Sequence, residues 1–359
     1  MRTSTDLRPL LGIDHPIIQA PMANGATTPA LVAAVSNAGA LGSLGASAMS
    51  PSQILEAIAE IRRRTDRPFN INLFVGGAEG AEDHDPTAMM GILARYHAEL
   101  GLPAPAPPGP VADPFAAQLE AILEARPPIF SFTFGIPGGS ALDALKRRGI
   151  KLLGTATTVE EARRLEAAGV DAVVAQGGEA GGHRGTFAGP FEAALVGTMA
   201  LVPQAVDAVA VPVVAAGGIM DGRGIVAARA LGAGGVQMGT AFLACREAGV
   251  PEAYKAAIRA ARDDQTAVTR AFSGRPARGL VNEFVRAMRD RERAILPYPL
   301  QNAATRAMRA AAAARGDTRF LSLWAGQAAG LARDLPAADL VRKLVQETDE
   351  VLRRLSTTA

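Results

Sequence analysis

Eight short apolar runs, each closed by a small or polar residue and most followed by a helical pattern, constrain this chain more than any other feature. They are PIIQA (16–20), ALGSLG (40–45), FNINLF (69–74), IFSFTF (129–134), KLLGTA (151–156), DAVVAQ (171–176), VPVVAAGG (211–218) and GGVQMGT (234–240). Parallel strands covered on both faces read as continuous apolar stretches, whereas a half-wetted sheet alternates. The intervening segments carry helix start and stop signals. Thr28 and Ser50 each stand before a proline suited to a first turn, Thr157 or Thr158 precedes VEEARRLEAAG, and Asp221 precedes GRGIVAARA. Gly39 and Gly169 follow their helices where a left-handed residue is wanted.

Eight strands alternating with helices are the pattern of an α/β fold closed into a (β/α)8 TIM barrel. A doubly wound open sheet competes. It would show fewer strands and a G-x-G-x-x-G after the first, where this chain has APMANGA. Two regions break the rhythm. Residues 76–128, with GGAEGAEDHDP and LPAPAPPGPVADP, are too long and proline-rich for an ordinary connection and read as an insertion after the third strand that wraps the barrel. Residues 251–320 read as a small, mostly helical lobe or lid over the barrel mouth, and 321–359 as helices returning to the wall. The barrel itself then spans 1–250.

With 48% hydrophobic and 20% charged residues the chain has ample material for such a core. Aromatics are only 4%, so Ala, Val, Leu and Ile must fill it. Thirty-seven Lys and Arg face 35 Asp and Glu without a run of either sign. That speaks against a nucleic-acid binder, which shows a basic stripe. A single cysteine excludes an internal disulfide. No stretch reaches the roughly 18 apolar residues of a membrane span, and the opening MRTSTDLRPLLGIDHP lacks the apolar centre of a leader. The expectation is a cytoplasmic protein with no membrane partner.

Barrel active sites lie at the carboxyl ends of the strands. There stand Ala20, Pro21 and Met22 after the first run, Asn70 and Asn72 in the third, and Gln176 after the sixth. Gly217 and Gly218 close the seventh run, and Gln237, Met238, Gly239 and Thr240 the eighth. Glycines after the seventh and eighth strands let backbone N–H groups point at an anion, and phosphate sites at this place are frequent in barrels. Taken singly, each glycine pair could equally be a tight turn. Asn70 and Asn72 share one face of a strand, where amides cost free energy unless bonded. With Gln176 they could bond neighbouring loops, or meet the donor and acceptor edge of a flat heteroaromatic ring. A phosphate together with such a ring suggests FMN. QGGEAGGHRGTF (176–187) places His183 among five glycines, on a segment that favours neither helix nor strand. No cluster of metal-ligand spacing appears.

PIIQAPM, FNINLF, QGGEAGGHRG, AAGGI and QMGTAF, in this order, resemble the nitronate monooxygenase family, once called 2-nitropropane dioxygenases. FSGRPARGLVNEF, PYPLQN and FLSLWAGQ extend the resemblance to the C-terminal part. It implies that Gln176, Gly181, Gly182, Gly217, Gly218 and Gln237 to Thr240 bind FMN, with Asn70 and Ala20–Met22 bordering the flavin ring. It further implies that His183 is catalytic, in a substrate pocket shared with Met22 and Tyr298, and that the glycines let backbone run against the flavin. The implied reaction is oxidation of an alkyl nitronate, such as that of 3-nitropropionate, by O2 to a carbonyl compound and nitrite, in a monomer or homodimer. His183 would then serve as an anion-holding imidazolium or as a neutral base. Flavin-dependent enoyl-ACP reductases and NADH:quinone reductases share several of the motifs. An NAD(P)H-dependent reductase of quinones or enoyl thioesters is therefore the alternative, and a cofactor-free phosphosugar barrel a third reading.

Overall fold

The computed structural model describes residues 6–76, 84–109 and 112–358. Residues 77–83 and 110–111, within the expected insertion, lie outside the described residues. Eleven strands are present among them: β1 (Ile17–Gln19), β2 (Gly42–Gly45), β3 (Phe69–Phe74), β4 (Ile129–Thr133), β5 (Lys151–Ala156), β6 (Ala172–Gln176), β7 (Gly182–His183), β8 (Val213–Ala216), β9 (Gly235–Met238), β10 (Thr266–Thr269) and β11 (Ala277–Leu280). Eight of them form one parallel sheet in the order β1-β9-β8-β6-β5-β4-β3-β2. The sheet closes through Leu41, beside β2, whose N–H donates to Ile17 O and whose carbonyl accepts from Gln19 N, both at 2.9 Å. The chain is a TIM barrel, and each of the eight apolar runs contributes one of its strands.

The helix signals act as their chemistry requires. Thr28 Oγ1 accepts from Leu31 N, and Ser50 and Gln53 form a reciprocal capping box. Thr158 rather than Thr157 caps its helix, because the Thr157 hydroxyl is spent on the Glu161 carboxylate at 2.7 Å. Glycine is essential where β2 nearly touches the backbone of a helix or of the turn after β1. A Cβ on Gly42 would lie 2.1 Å from Val32 O, and one on Gly45 would lie 2.5 Å from the Met22 carbonyl carbon.

The packing redraws two boundaries. The helix Phe115–Ala125 lies on β3 and on the helix Pro51–Arg64, as an ordinary member of the barrel's outer ring. The departure after β3 is thus shorter than 76–128. Its helix Thr87–Glu99 does not wrap the barrel but joins the lobe, burying Met89, Leu93 and Tyr96 with Phe272, Phe284, Met308 and Phe320. Tyr96 sits edge-on to Phe284 and Phe320, each at 5.3 Å. The lobe also runs beyond 320, since Leu321, Leu323, Ala325 and Ala329 belong to the same cluster. The last helix, Ala337–Thr358, packs between Gly222–Ala230 and Pro29–Asn37 and fills the ring position left open after β9. It buries Leu340, Val341 and Leu344 against the barrel's main core.

The lobe and the barrel are stitched together by β7. This two-residue strand leaves the mouth of the barrel after β6 and becomes the edge of a three-stranded sheet with β10 and β11. His183 registers with Ala277 and Gly182 with Arg278, antiparallel.

Candidate active site

A cavity of about 1460 Å³ opens at the carboxyl ends of the barrel strands, beneath the lobe. Ala20, Pro21, Met22, Asn72, Gln176, Gly181, Gly182, His183, Gly217, Gly218, Gln237 to Thr240 and Tyr298 all line it. Asn70 does not. One layer deeper in the barrel, it donates through Nδ2 to Ser131 Oγ at 2.9 Å, the same oxygen that receives Asn72 Nδ2 at 2.9 Å. The two amides share a face, as a strand requires, but that face is tall enough that only the upper one reaches the cavity.

The floor beside β8 and β9 is made of backbone. Gly217 and Gly218 have φ of +119° and +71°, values that L side chains adopt only with strain. Among the described residues no acceptor faces the amide N–H groups of Gly218, Gly239 and Thr240. Orphan donors on adjacent strand ends are the arrangement an anionic oxygen group would satisfy. Asn72 adds a carboxamide oxygen that has no protein partner among the described residues. Gln176 is already engaged, with Nε2 on His183 O at 3.0 Å and Oε1 accepting Gly185 N at 2.8 Å, and keeps one N–H to offer. These donors and this floor suit a mononucleotide with a planar, hydrogen-bonding ring.

The glycines around His183 answer mostly to the protein. A Cβ on Gly177 would lie 2.0 Å from Thr198 Oγ1, on Gly181 2.5 Å from the Ala325 carbonyl carbon, and on Gly185 2.9 Å from Thr155 Cγ2. Only Gly182, at φ +77°, faces open space. Glu179 does not touch the imidazole. Its carboxylate accepts Thr198 N and Oγ1, capping the helix Thr198–Ala208. Arg184 turns away from the cavity and lies fully buried behind the loop, donating to the carbonyls of Gly177, Gln176 and Ala194. Arg275 and Arg278 join lobe to barrel through Thr186 O at 3.1 Å and Gly178 O at 2.9 Å.

His183 stands at the other end of the cavity among aromatic rings: Trp324 at 5.3 Å, Phe134 at 6.0 Å and Phe74 at 6.3 Å between centroids. Phe134 also meets Tyr298 edge-on at 6.4 Å and carries the Arg275 guanidinium 3.7 Å above its ring. Burial in this cage pushes the imidazole pKa down to about 3, helped by the positive charges of Arg275 and Arg309. The ring is therefore neutral near pH 7. Arg309 lines the cavity with Nε on Thr305 Oγ1 and Nη2 on Asn302, and among the described residues its Nη1 has no acceptor.

Phe74, Phe134, Trp324 and Arg309 are not among the site residues expected from the sequence. Phe74 and Phe134 close the runs FNINLF and IFSFTF, so the strand-end criterion that selected Asn72 also reaches them. Phe134 takes φ +81°, a left-handed backbone rare for a bulky residue and common where a side chain must be aimed into a site. Trp324 and Arg309 arrive from the lobe by tertiary packing, which leaves no local signal. Cys245 is buried away from this wall, with a thiol pKa pushed up to about 12. Among the described residues no group of His, Cys, Asp and Glu could hold a metal ion, and no helix is long and apolar enough to cross a membrane.

Comparison with known proteins bears on this geometry. A family model described as nitronate monooxygenase matches residues 4–347. A probable nitronate monooxygenase of Staphylococcus saprophyticus is 44% identical over 356 residues, 99% of this chain and 100% of that protein. One from Staphylococcus aureus is 43% identical, covering 97% and 98%. Among solved structures, nitroalkane oxidase from Streptomyces ansochromogenes superposes with a TM-score of 0.89 at 41% identity, over 98% of this chain and 100% of that one. FabK from Thermotoga maritima does so with a TM-score of 0.79 at 34% identity, over 98% of each chain.

Proposed function

Because the chain belongs to the nitronate monooxygenase family, a family of oxidoreductases, we propose that it oxidises alkyl nitronates with O2 to a carbonyl compound and nitrite, using FMN. The observation that carries this reading is an imidazole caged by Phe74, Phe134 and Trp324, across one cavity from backbone amides that meet no acceptor among the described residues. When bound, the flavin accepts the substrate's electrons and delivers them to oxygen.

In this reading Gly218, Gly239 and Thr240 hold the phosphate through their N–H groups. Asn72 and the spare N–H of Gln176 meet the polar edge of the ring, and the Ala20–Met22 turn borders it. His183 is neutral and so keeps a lone pair free to take the α-proton of a neutral nitroalkane; burial weakens it as a base, and the Arg309 charge that meets the nitronate product offsets this. A nitronate already lacks that proton and needs only its charge met. Arg309 Nη1, a donor with no acceptor among the described residues, supplies that charge in a poorly solvated wall. Phe74, Phe134 and Trp324 keep water from the imidazole, which holds it in its basic form. Tyr298 completes the lobe side of the pocket.

Anaerobic mixing of the flavin-loaded protein with ethylnitronate or with NADH tests the proposal. Ethylnitronate alone should bleach the flavin absorbance, while NADH alone should leave it. Bleaching by NADH with no response to ethylnitronate would transfer the protein to the reductase reading. A protein that takes up no FMN on reconstitution would remove both.

A further inference from the structure

Among the described residues His183 is gripped at one ring nitrogen. Its Nε2 lies 2.8 Å from Ser273 Oγ, in the lobe. Among the described residues Nδ1 has no protein partner and is not sealed from the cavity that the ring lines. The nitrogen that carries the proton is decided by what Ser273 does with its own. That hydroxyl has three neighbours: His183 Nε2, the Arg275 carbonyl at 3.1 Å and the Arg275 N–H at 3.3 Å. The N–H can only donate to Oγ and the carbonyl can only accept from it. Since a hydroxyl has a single proton, all three contacts are satisfied together only when Oγ–H points to the carbonyl and Nε2–H points to Oγ. The reverse assignment, with Oγ–H on Nε2, leaves the Arg275 carbonyl without that donor.

The anchor is itself immobilised. Ser273 is buried, and the two residues before it are pinned to the helix Leu300–Ala304 and the residue after it. Ala271 O accepts Gln301 Nε2 and Phe272 O accepts Thr305 Oγ1, both at 2.6 Å. From the other side, Gln176 Nε2 fixes the backbone carbonyl of His183 itself. The ring is thus held between barrel and lobe.

We propose that Ser273 is a positioning residue that holds His183 as the Nε2–H tautomer, so that Nδ1 is the basic atom presented to substrate. This rests on the reading of His183 as the base. In the step, the bond between the α-carbon and its proton breaks and the proton passes to Nδ1. The C–H electron pair becomes that of the nitronate, and the resulting imidazolium keeps its Nε2–H on Ser273. No oxidant or further reactant takes part in this transfer.

The test is nitrogen-15 spectroscopy of the flavin-loaded protein labelled at its four histidines, with His183→Asn identifying the relevant signals. Nε2 is expected in the protonated range and Nδ1 in the unprotonated range. A wild-type protein with the proton on Nδ1 would overturn the proposal, whatever the variants do. In Ser273→Ala the two shifts should move toward each other, and turnover of neutral nitroethane should fall about tenfold, less than the loss of the base itself would cost. Preformed ethylnitronate should be oxidised at nearly the wild-type rate, and Ser273→Thr, which keeps the hydroxyl, should restore the shifts. Unchanged shifts and an unchanged ratio of the two rates in Ser273→Ala would also overturn it. An Nε2–H tautomer in a protein that ignores both nitroethane and ethylnitronate would leave the Ser273 contact standing and refute the function instead.

Discussion

At one end of the cavity the wall is backbone; at the other it is side chain. The amides of Gly218, Gly239 and Thr240 stand at the ends of two neighbouring strands, β8 and β9, and each is placed by the residues next to it in sequence. The imidazole end is assembled from β3, β4, the loop after β6, the segment around Ser273 and the stretch around Trp324. A backbone wall can hold any group with the right charge and shape, because every residue supplies the same donor. A side-chain wall selects chemistry, because each member brings one particular atom. The contrast implies a division of labour, in which the glycine end binds and the imidazole end reacts.

That division can be attacked by mutation, and the largest effect should come from His183→Asn. Turnover of neutral nitroethane should drop by about 10² to 10⁴, the usual range for a lost general base, while preformed ethylnitronate is affected far less. Equal losses on both substrates would mean that His183 does more than move a proton. Next in size is Gly218→Val. A β-branched residue at φ +71° carries strain of roughly 1–2 kcal/mol, so FMN affinity measured by fluorescence titration should weaken about tenfold. Phe134→Ala removes the ring under Arg275, a contact worth about 0.5–2 kcal/mol. It should lower kcat/KM several-fold and leave FMN content unchanged. A loss of flavin in this variant would blur the boundary between the two ends.

The smallest effect is on acid stability. Burial leaves His183 neutral in the folded protein, with its pKa pushed from 6.5 to about 3. Below pH 6.5 the unfolded chain therefore binds a proton that the folded chain refuses, and stability falls as the pH drops from 6.5 toward 3. Above about pH 7.5 the group contributes nothing to the pH dependence. Between pH 6.5 and 5 the loss amounts to about 2 kcal/mol. Guanidinium unfolding of wild type and His183→Asn at pH 7.5 and 5 should show that increment in the wild type alone.

The same contrast explains what could be read from the sequence. Strand runs, caps and the glycine turns are local, so their signals lie within a few residues, and the barrel and the glycine end were legible from them. His183 was legible as an imidazole on a segment that resists regular structure. Its surroundings were not. Phe74 and Phe134 stand at strand ends but carry no polar atom or glycine to single them out, and an aromatic closing an apolar run is usually packing. Ser273, Arg309 and Trp324 are brought in by a lobe whose core includes a helix from residues 87–99, and no periodicity records that association. Asn70 and Asn72 show the opposite limit. Strand geometry gives their shared face but not their depth, and only Asn72 reaches the cavity. The glycines beside His183 were legible as a need for close approach, but the approaching partners are Thr198, the Ala325 backbone and Thr155.

The division of labour is tested most directly by titrating FMN into apoprotein of Gly218→Val and His183→Asn side by side with wild type. The account predicts about tenfold weaker binding for the glycine variant and binding within roughly twofold of wild type for the histidine variant, because no backbone donor of the floor depends on the imidazole. Parallel losses of FMN affinity in the two variants would contradict it, and would make the cavity a single cooperative unit rather than two ends with separate tasks.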